Sequence, residues 1–340
     1  MSKRKLSRRQ AWRVEKIQKE RTDRALKKES RIEQQLEASE LGLEQQGLII
    51  SHFGKQVDVE ALEGEKQGQI FRCHLRTHLG QLVTGDNVIW RPGAEHGVVV
   101  AVLPRTSELQ RPTNHGELKP VAANIDRIVI TFAIEPQPFA NLIDRYLVAA
   151  ELSNIEPVLL LNKSDLINSE NREAIERLMA RYREIGYSVF TASTALEHGM
   201  DELHRQLAGK TCVFVGQSGV GKSSLINVLL PGVDIKVGAL SEQTRKGKHT
   251  TTTARLFHIP SGGDLIDSPG IREFALWHLD AQSIIEGFVE LKPFLGLCKF
   301  RDCQHEREPQ CALLQAIEQG RISESRMESY RRIISSIEEN

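Results

Sequence analysis

Residues 216–224, "GQSGVGKSS", have the composition and spacing of a phosphate-binding loop. In the pattern G-x-x-x-x-G-K-[ST], glycines such as Gly216 and Gly221 let backbone N–H groups curl around phosphate oxygens. Lys222 is then expected to reach the β and γ phosphates, and the Ser223 hydroxyl to bind Mg²⁺. The predicted phosphate contacts are Gly216, Gln217, Ser218, Gly219, Val220, Gly221, Lys222, Ser223 and Ser224.

The motif "NKSD" at residues 162–165 follows the apolar run "PVLLL" and predicts a guanine site. The Asp165 carboxylate can accept hydrogen bonds from guanine N1–H and the exocyclic amine, whereas adenine would leave this carboxylate unpaired. Asn162 is expected to tether neighbouring loops and to reach the guanine edge, and the Lys163 stem to pack on the base. Ser164 completes the motif.

A third loop, "ASTALEHG" at residues 192–199, occupies the position of a base-contacting loop. Its Ser193 and Thr194 differ from the usual Ser-Ala pair. Because backbone N–H groups normally make this contact, we keep both residues as predicted guanine contacts.

Two further segments are predicted to surround the γ-phosphate. In "DSPG" at residues 267–270, Asp267 would hold Mg²⁺ through water, and the Gly270 N–H would meet the phosphate. "HTTTT" at residues 249–253 lies where a switch loop supplies a threonine to Mg²⁺. Four threonines leave the choice open, and we favour Thr251.

The residue that orients the attacking water is not the glutamine of Ras-like enzymes, because Ile271 follows Gly270. His249 is the best candidate, since an imidazole can position or polarise water near neutral pH. The alternative is that His249 is an ordinary exposed loop residue. Together with Lys222, His249 is our predicted catalytic pair.

A Cys/His cluster near the C-terminus, "CKFRDCQHEREPQC", has the donor set of a structural zinc site. Its three thiolates and one imidazole, from Cys298, Cys303, His305 and Cys311, would fill all four tetrahedral positions of one Zn²⁺. The alternative is a chance cluster of free cytosolic thiols.

These motifs need elements to position them, and the apolar pattern predicts three kinds of unit. Residues 46–112 contain short β-branched runs separated by glycine-rich turns, which predict a small antiparallel barrel. We favour an OB-like barrel, and an SH3-like barrel is the alternative. In residues 113–275, apolar runs alternate with amphipathic helices, which predicts a parallel sheet covered on both faces. Residues 276–340 are predicted to be a helical zinc-binding domain.

Residues 1–45 form a basic arm: the first 36 residues hold 13 Lys/Arg against 5 Asp/Glu, although the whole chain is neutral. The arm is either a solvated extension or a segment attracted to phosphate backbones. No apolar run reaches the length of a membrane span, and the N-terminus is too polar for a signal peptide. We therefore expect a cytoplasmic protein that does not bind membranes. We also expect a monomer.

The motif order is unusual, because the guanine motif precedes the phosphate loop. Cutting an ordinary GTPase chain after its DxxG segment and joining the old ends would give this order without changing the sheet. The permuted order, the barrel before it and the Cys/His segment after it resemble the circularly permuted, ribosome small-subunit-dependent GTPase A family (RsgA/YjeQ).

The resemblance implies a GTP hydrolase that acts late in maturation of the small (30S) ribosomal subunit, binds its rRNA and is stimulated by it. Members of the family also carry a histidine before the threonine run and the same Cys/His spacing. A rival interpretation is a GTP-dependent RNA-binding factor with negligible hydrolysis, favoured by the missing glutamine. A metabolic P-loop kinase conflicts with the guanine motif.

Overall fold

The structure is a computed structural model that describes residues 41–76, 79–112, 117–233, 254–267 and 281–338. Most of the predicted basic arm, together with His249, Thr251 and Gly270, lies outside the described residues.

Five strands near the N-terminus close into a barrel. They are β1 (Gln45–Phe53), β2 (Gln56–Ala61), β3 (Ile70–Leu75), β4 (Asn87–Arg91) and β5 (Gly97–Val102). The barrel closes in the order β1-β2-β3-β5-β4-β1, with β3 and β5 parallel. A five-stranded barrel closed in this order is an OB-fold, not the SH3-like alternative, so the predicted barrel is confirmed.

Alternation along the strands builds the barrel core. In β2, Val57, Val59 and Ala61 are fully buried, while the residues between them are half-buried. Trp90 of β4 fills the centre, with its ring 5.0 Å from that of Phe71. The period of two in the sequence therefore sets which side chains face inward.

A two-stranded hairpin follows the barrel, and then the α/β sheet begins. The hairpin is β6 (Glu108–Pro112) with β7 (Leu118–Ala123). The sheet strands are β8 (Arg127–Ala133), β9 (Glu156–Asn162), β10 (Ser188–Thr191), β11 (Thr211–Val215), β12 (Arg255–His258) and β13 (Asp264–Asp267). Their order is β10-β9-β8-β11-β13-β12, parallel except for β12.

Four helices pack on this sheet: α1 (Ala140–Leu152), α2 (Arg172–Ile185), α3 (Asp201–Leu207) and α4 (Lys222–Leu229). Two apolar cores cover its faces, one built around β8, β9, α1 and α2, and the other around β11, α3 and α4. Because both faces are buried, strands such as "VLLL" read as continuous apolar runs. The predicted parallel sheet is confirmed.

The C-terminal unit consists of α5 (Ala281–Glu286), α6 (Ala312–Glu318) and α7 (Glu324–Glu338), with a 3₁₀ turn at Lys292–Phe294. Its apolar core includes Val148 and Ala149 of α1, so this unit packs directly on the α/β domain. The predicted helical character of this region is confirmed. Within the described part of the chain, no helix is long and apolar enough to span a bilayer.

A buried ion network reinforces that packing. Arg326 of α7 is 1% exposed and donates hydrogen bonds to Asp144 of α1 and to Glu290, the latter at 2.5 Å. The Tyr182 hydroxyl also donates to Asp144, at 2.8 Å. Since a buried charge without a partner is costly, the three charged groups of Arg326, Asp144 and Glu290 must stay together in the folded chain.

Candidate functional site: one edge of the sheet

The carboxyl ends of five parallel strands meet at one edge of the sheet, and the predicted nucleotide motifs follow four of them. The phosphate loop follows β11, "NKSD" follows β9, the base loop follows β10, and Asp267 ends β13. Ligands of open α/β sheets bind at this edge. Motifs more than 50 residues apart in sequence are thereby brought together.

The phosphate loop depends on close backbone approach. Gly216 has φ of +138°, and a Cβ there would lie 2.0 Å from the Thr131 carbonyl oxygen of β8. Gly221, at φ +88°, precedes α4, and a Cβ there would lie 2.4 Å from Asn162 Nδ2. Both positions therefore require glycine, and the N-terminus of α4 faces the loop, where its N–H groups favour an anion.

Lys222 is held across this loop. Its Nζ donates to the carbonyl oxygens of Gly216 and Gln217, each at 2.7 Å. An ammonium group in this position places a positive charge at the mouth of the loop. In phosphate loops of this pattern, the lysine ammonium group contacts the β and γ phosphates of the nucleotide.

The guanine motif and the phosphate loop are joined by side chains of the motif itself. Asn162, which is 3% exposed, donates from Nδ2 to the Val220 carbonyl oxygen at 2.8 Å. Lys163, in a left-handed conformation at φ +58°, donates from Nζ to the carbonyl oxygens of Gly219 at 2.9 Å and Glu135 at 2.7 Å. These bonds fix the position of the guanine motif relative to the phosphate loop.

The role of Glu135 could not be predicted from the sequence, because a backbone carbonyl can belong to any residue type. The role of the Ser193 hydroxyl is likewise not visible in the sequence, which predicts a guanine contact only through the backbone N–H groups of this loop. Its Oγ donates to Asp165 Oδ1 and accepts a hydrogen bond from the Ala195 N–H at 3.0 Å. Ser193 is fully buried, so it holds the Asp165 carboxylate in one orientation.

We expect Ser193→Ala to weaken GTP binding by at least about tenfold, because a hydrogen bond to a charged group is worth about 1.5–3 kcal/mol, or about 10–150-fold in affinity. The preference for GTP over ATP should fall in parallel, since the misoriented carboxylate pairs less well with guanine. Equilibrium titration with fluorescent GTP and ATP analogues measures both quantities.

Thr194→Ala is the matched control. This neighbouring side chain is exposed, and the substitution keeps the backbone N–H. Its GTP affinity should match that of the original chain. Equal losses in the two variants would contradict the role given to the Ser193 hydroxyl.

The predicted magnesium ligands lie only partly within the described residues. Ser223 lies in the first turn of α4, and Asp267 ends β13, the strand beside β11. Both offer oxygen donors, the type that Mg²⁺ prefers, so the residues fit this ion. Ser218 lies in the phosphate loop, and Ser224 lies in the first turn of α4.

The Cys/His cluster forms a compact donor set. The ligand atoms of Cys298, Cys303, His305 and Cys311 all lie within 4.8 Å of one another. Cys298 Sγ is 3.8 Å from Cys311 Sγ and 3.5 Å from His305 Nδ1, which is 3.4 Å from Cys311 Sγ. A tetrahedron with metal–ligand bonds of about 2.0–2.3 Å has edges of about 3.3–3.8 Å, which matches the three separations among Cys298, His305 and Cys311. With Cys303 in the same cluster, the four residues could hold one metal ion.

The loop between these ligands is shaped by Glu308. Its carboxylate accepts N–H hydrogen bonds from Gln304 at 2.6 Å, Glu306 at 2.9 Å and Arg307 at 3.0 Å. These backbone donors, Gln304 first, lower the pKa of Glu308 to about 2. His305 sits in this loop at φ +62°, and its carbonyl oxygen accepts from Arg331 of α7 at 2.9 Å.

Comparison with known proteins agrees with this architecture. A family model described as RsgA GTPase matches residues 102–277. Proteins named small ribosomal subunit biogenesis GTPase RsgA, from Ectopseudomonas mendocina and Azotobacter vinelandii, are each 61% identical to the whole chain and are covered over 99% of their length.

Two solved structures share the fold. YjeQ from Thermotoga maritima is 30% identical with a TM-score of 0.73, and the match covers 87% of this chain and 99% of that one. YloQ, described as a circularly permuted GTPase, is 29% identical with a TM-score of 0.69, over 87% and 96%. With these matches over nearly its whole length, the chain belongs to the RsgA family of GTPases.

Proposed function

We propose that this protein hydrolyses GTP during biogenesis of the small ribosomal subunit, acting late, binding its rRNA and being stimulated by it. The observation that carries the proposal is the sheet edge at which Lys222 of the phosphate loop and the Ser193–Asp165 pair lie together. Phosphate and guanine recognition in one place favour GTP as substrate.

In this mechanism the chain binds both the guanine base and the phosphates of GTP. The Asp165 carboxylate accepts hydrogen bonds from guanine N–H groups, and the backbone N–H groups of residues 217–221 donate hydrogen bonds to the phosphates. Lys222 neutralises charge that develops on the β–γ bridge and the γ-phosphate oxygens as that bond breaks. Ser223, Asp267 and Thr251 would hold Mg²⁺, which neutralises further phosphate charge, and the Gly270 N–H would meet the γ-phosphate.

Water activation is assigned to His249. An imidazole near the γ-phosphate can orient water and accept its proton, and Ile271 cannot. Slow turnover by the free protein and faster turnover on the ribosome would follow if the subunit completes the placement of His249.

The C-terminal unit is proposed to bind one structural zinc ion through the Cys₃His set. Four protein ligands leave no open position for a substrate, so the ion would stabilise the loop rather than react. The basic arm, the barrel and this unit are the proposed contacts to rRNA. The protein is proposed to act as a cytoplasmic monomer.

Phosphate release titrated with purified small subunits tests the proposal. We expect slow hydrolysis of GTP by the free chain, hydrolysis that rises in a saturable way with small subunits, and no comparable effect of large subunits. ATP should not be hydrolysed. Tight GTP binding with no stimulated turnover would favour the rival function, a GTP-dependent RNA-binding factor.

A further inference from the structure

The barrel contacts strand β12 of the α/β sheet at both ends of the strand. At one end, Thr84 Oγ1 donates to the Ala254 carbonyl oxygen at 3.0 Å. At the other, Glu60 Oε2 of β2 lies 2.6 Å from His258 Nε2. Between them, Ser51 of β1 pairs with Arg255, which makes the barrel and the nucleotide-binding sheet one continuous sheet.

Thr84 is itself fixed in place. The residue is 1% exposed, and its carbonyl oxygen accepts from the Ala123 N–H at 3.0 Å. At the adjacent Gly85, with φ of +92°, a Cβ would lie 2.2 Å from the Ala123 carbonyl oxygen and 3.2 Å from Ile266 Cδ1. Packing this close leaves the Thr84 hydroxyl little room to move relative to the sheet.

Strand β12 leads from Thr84 to the nucleotide site. Arg255 pairs with Asp267 and Leu256 with Ile266, so β12 lies directly beside the strand that ends in Asp267. Ala254, which Thr84 holds, is also the next residue in the chain after Thr253, the last of the threonine run. A displacement at the Thr84 contact would therefore be passed to the Asp267 side of the site.

We propose that Thr84 is a positioning residue for the GTPase reaction: by holding Ala254 it fixes the β12–β13 pair, and the barrel thereby controls magnesium-dependent binding of the triphosphate. The proposal rests on the proposed function, which assigns Asp267 to Mg²⁺. A ligand that displaces the barrel would act on hydrolysis by this route, without touching the nucleotide.

Thr84→Val tests the contact, because valine keeps the shape of threonine and removes the donor. The assay is binding of a non-hydrolysable GTP analogue to the full chain at varied Mg²⁺, with GDP binding in EDTA as reference. We expect the half-saturating Mg²⁺ concentration to rise by about fivefold, the change that one neutral hydrogen bond supports. GDP affinity in EDTA should stay unchanged, and Thr84→Ser should restore the original value.

Ser107→Ala is the matched control. Its Oγ donates to the Ile125 carbonyl oxygen at 2.7 Å in the same connection between barrel and sheet, but not to β12. This variant should keep the original Mg²⁺ requirement even if its thermal midpoint falls as much. An unchanged requirement in Thr84→Val, or an equal rise in Ser107→Ala, would overturn the proposal.

Two features keep the test decisive. If Thr84→Val does not fold, Glu60→Gln weakens the second barrel contact and should shift the Mg²⁺ requirement in the same direction, and no shift there would overturn the proposal. Analogue binding does not need turnover, so a chain that binds the analogue with Mg²⁺ but never hydrolyses GTP contradicts the proposed function alone. The Thr84 result would still decide the positioning role.

Discussion

Replacement of Lys222 by alanine is expected to reduce GTP turnover by at least about 10²–10³-fold, the usual effect of removing one group that stabilises transition-state charge. The Lys222 ammonium lies over the carbonyl oxygens of Gly216 and Gln217, at the mouth of the phosphate loop. Alanine leaves the loop backbone in place but removes this charge. Charge that develops on the phosphate oxygens as the bond breaks then has no lysine to neutralise it.

Single-turnover measurements separate the chemical step from binding. The rate constant at saturating GTP should fall more than the affinity for GDP, because the charge on the transferring phosphoryl group grows in the transition state. Lys210→Ala is the control. Lys210 precedes β11, so it lies at the end of that strand opposite to the phosphate loop. Turnover in Lys222→Ala close to that of Lys210→Ala would show that we have misplaced the phosphate subsite.

Replacement of Cys298 and Cys303 by serine is expected to remove zinc and to unfold the C-terminal unit. Structural zinc contributes about 10–16 kcal/mol to folding of isolated zinc-finger peptides near neutral pH, which exceeds the whole stability of many small domains. Cys298, Cys303 and Cys311 pack against the apolar core of α5, α6 and α7. Loss of the ion should therefore expose that core.

Elemental analysis of protein purified without added metal should give one zinc per chain, and none for the double variant. Limited proteolysis should cut the double variant within residues 281–338 first, while guanine-nucleotide binding is largely kept. Cys73→Ala removes a buried thiol of the barrel and should keep its zinc. Full zinc content in the double variant would contradict the assigned ligand set.

Local patterns in the sequence determined the main elements and the motif-bearing turns. A strand buried on both faces has a continuous apolar run, as in β8, β9 and β11. A strand buried on one face alternates between apolar and polar residues, as in β2. Both patterns predict strands. Glycine spacing in the phosphate loop is equally local, since each glycine is needed where the backbone adopts a positive φ or passes close to another strand. These features depend on residues near one another in the chain.

Tertiary structure decided the contacts between distant segments. The sequence favoured an OB-like barrel but could not distinguish it from an SH3-like one, because the closure depends on parallel pairing of β3 with β5. It gave no sign that Ser193 would bond Asp165, that Arg326 would be buried with Asp144, or that Thr84 would hold Ala254, 170 residues away. A hydroxyl or a guanidinium group can pair with many partners, and only the packing of the folded chain selects one.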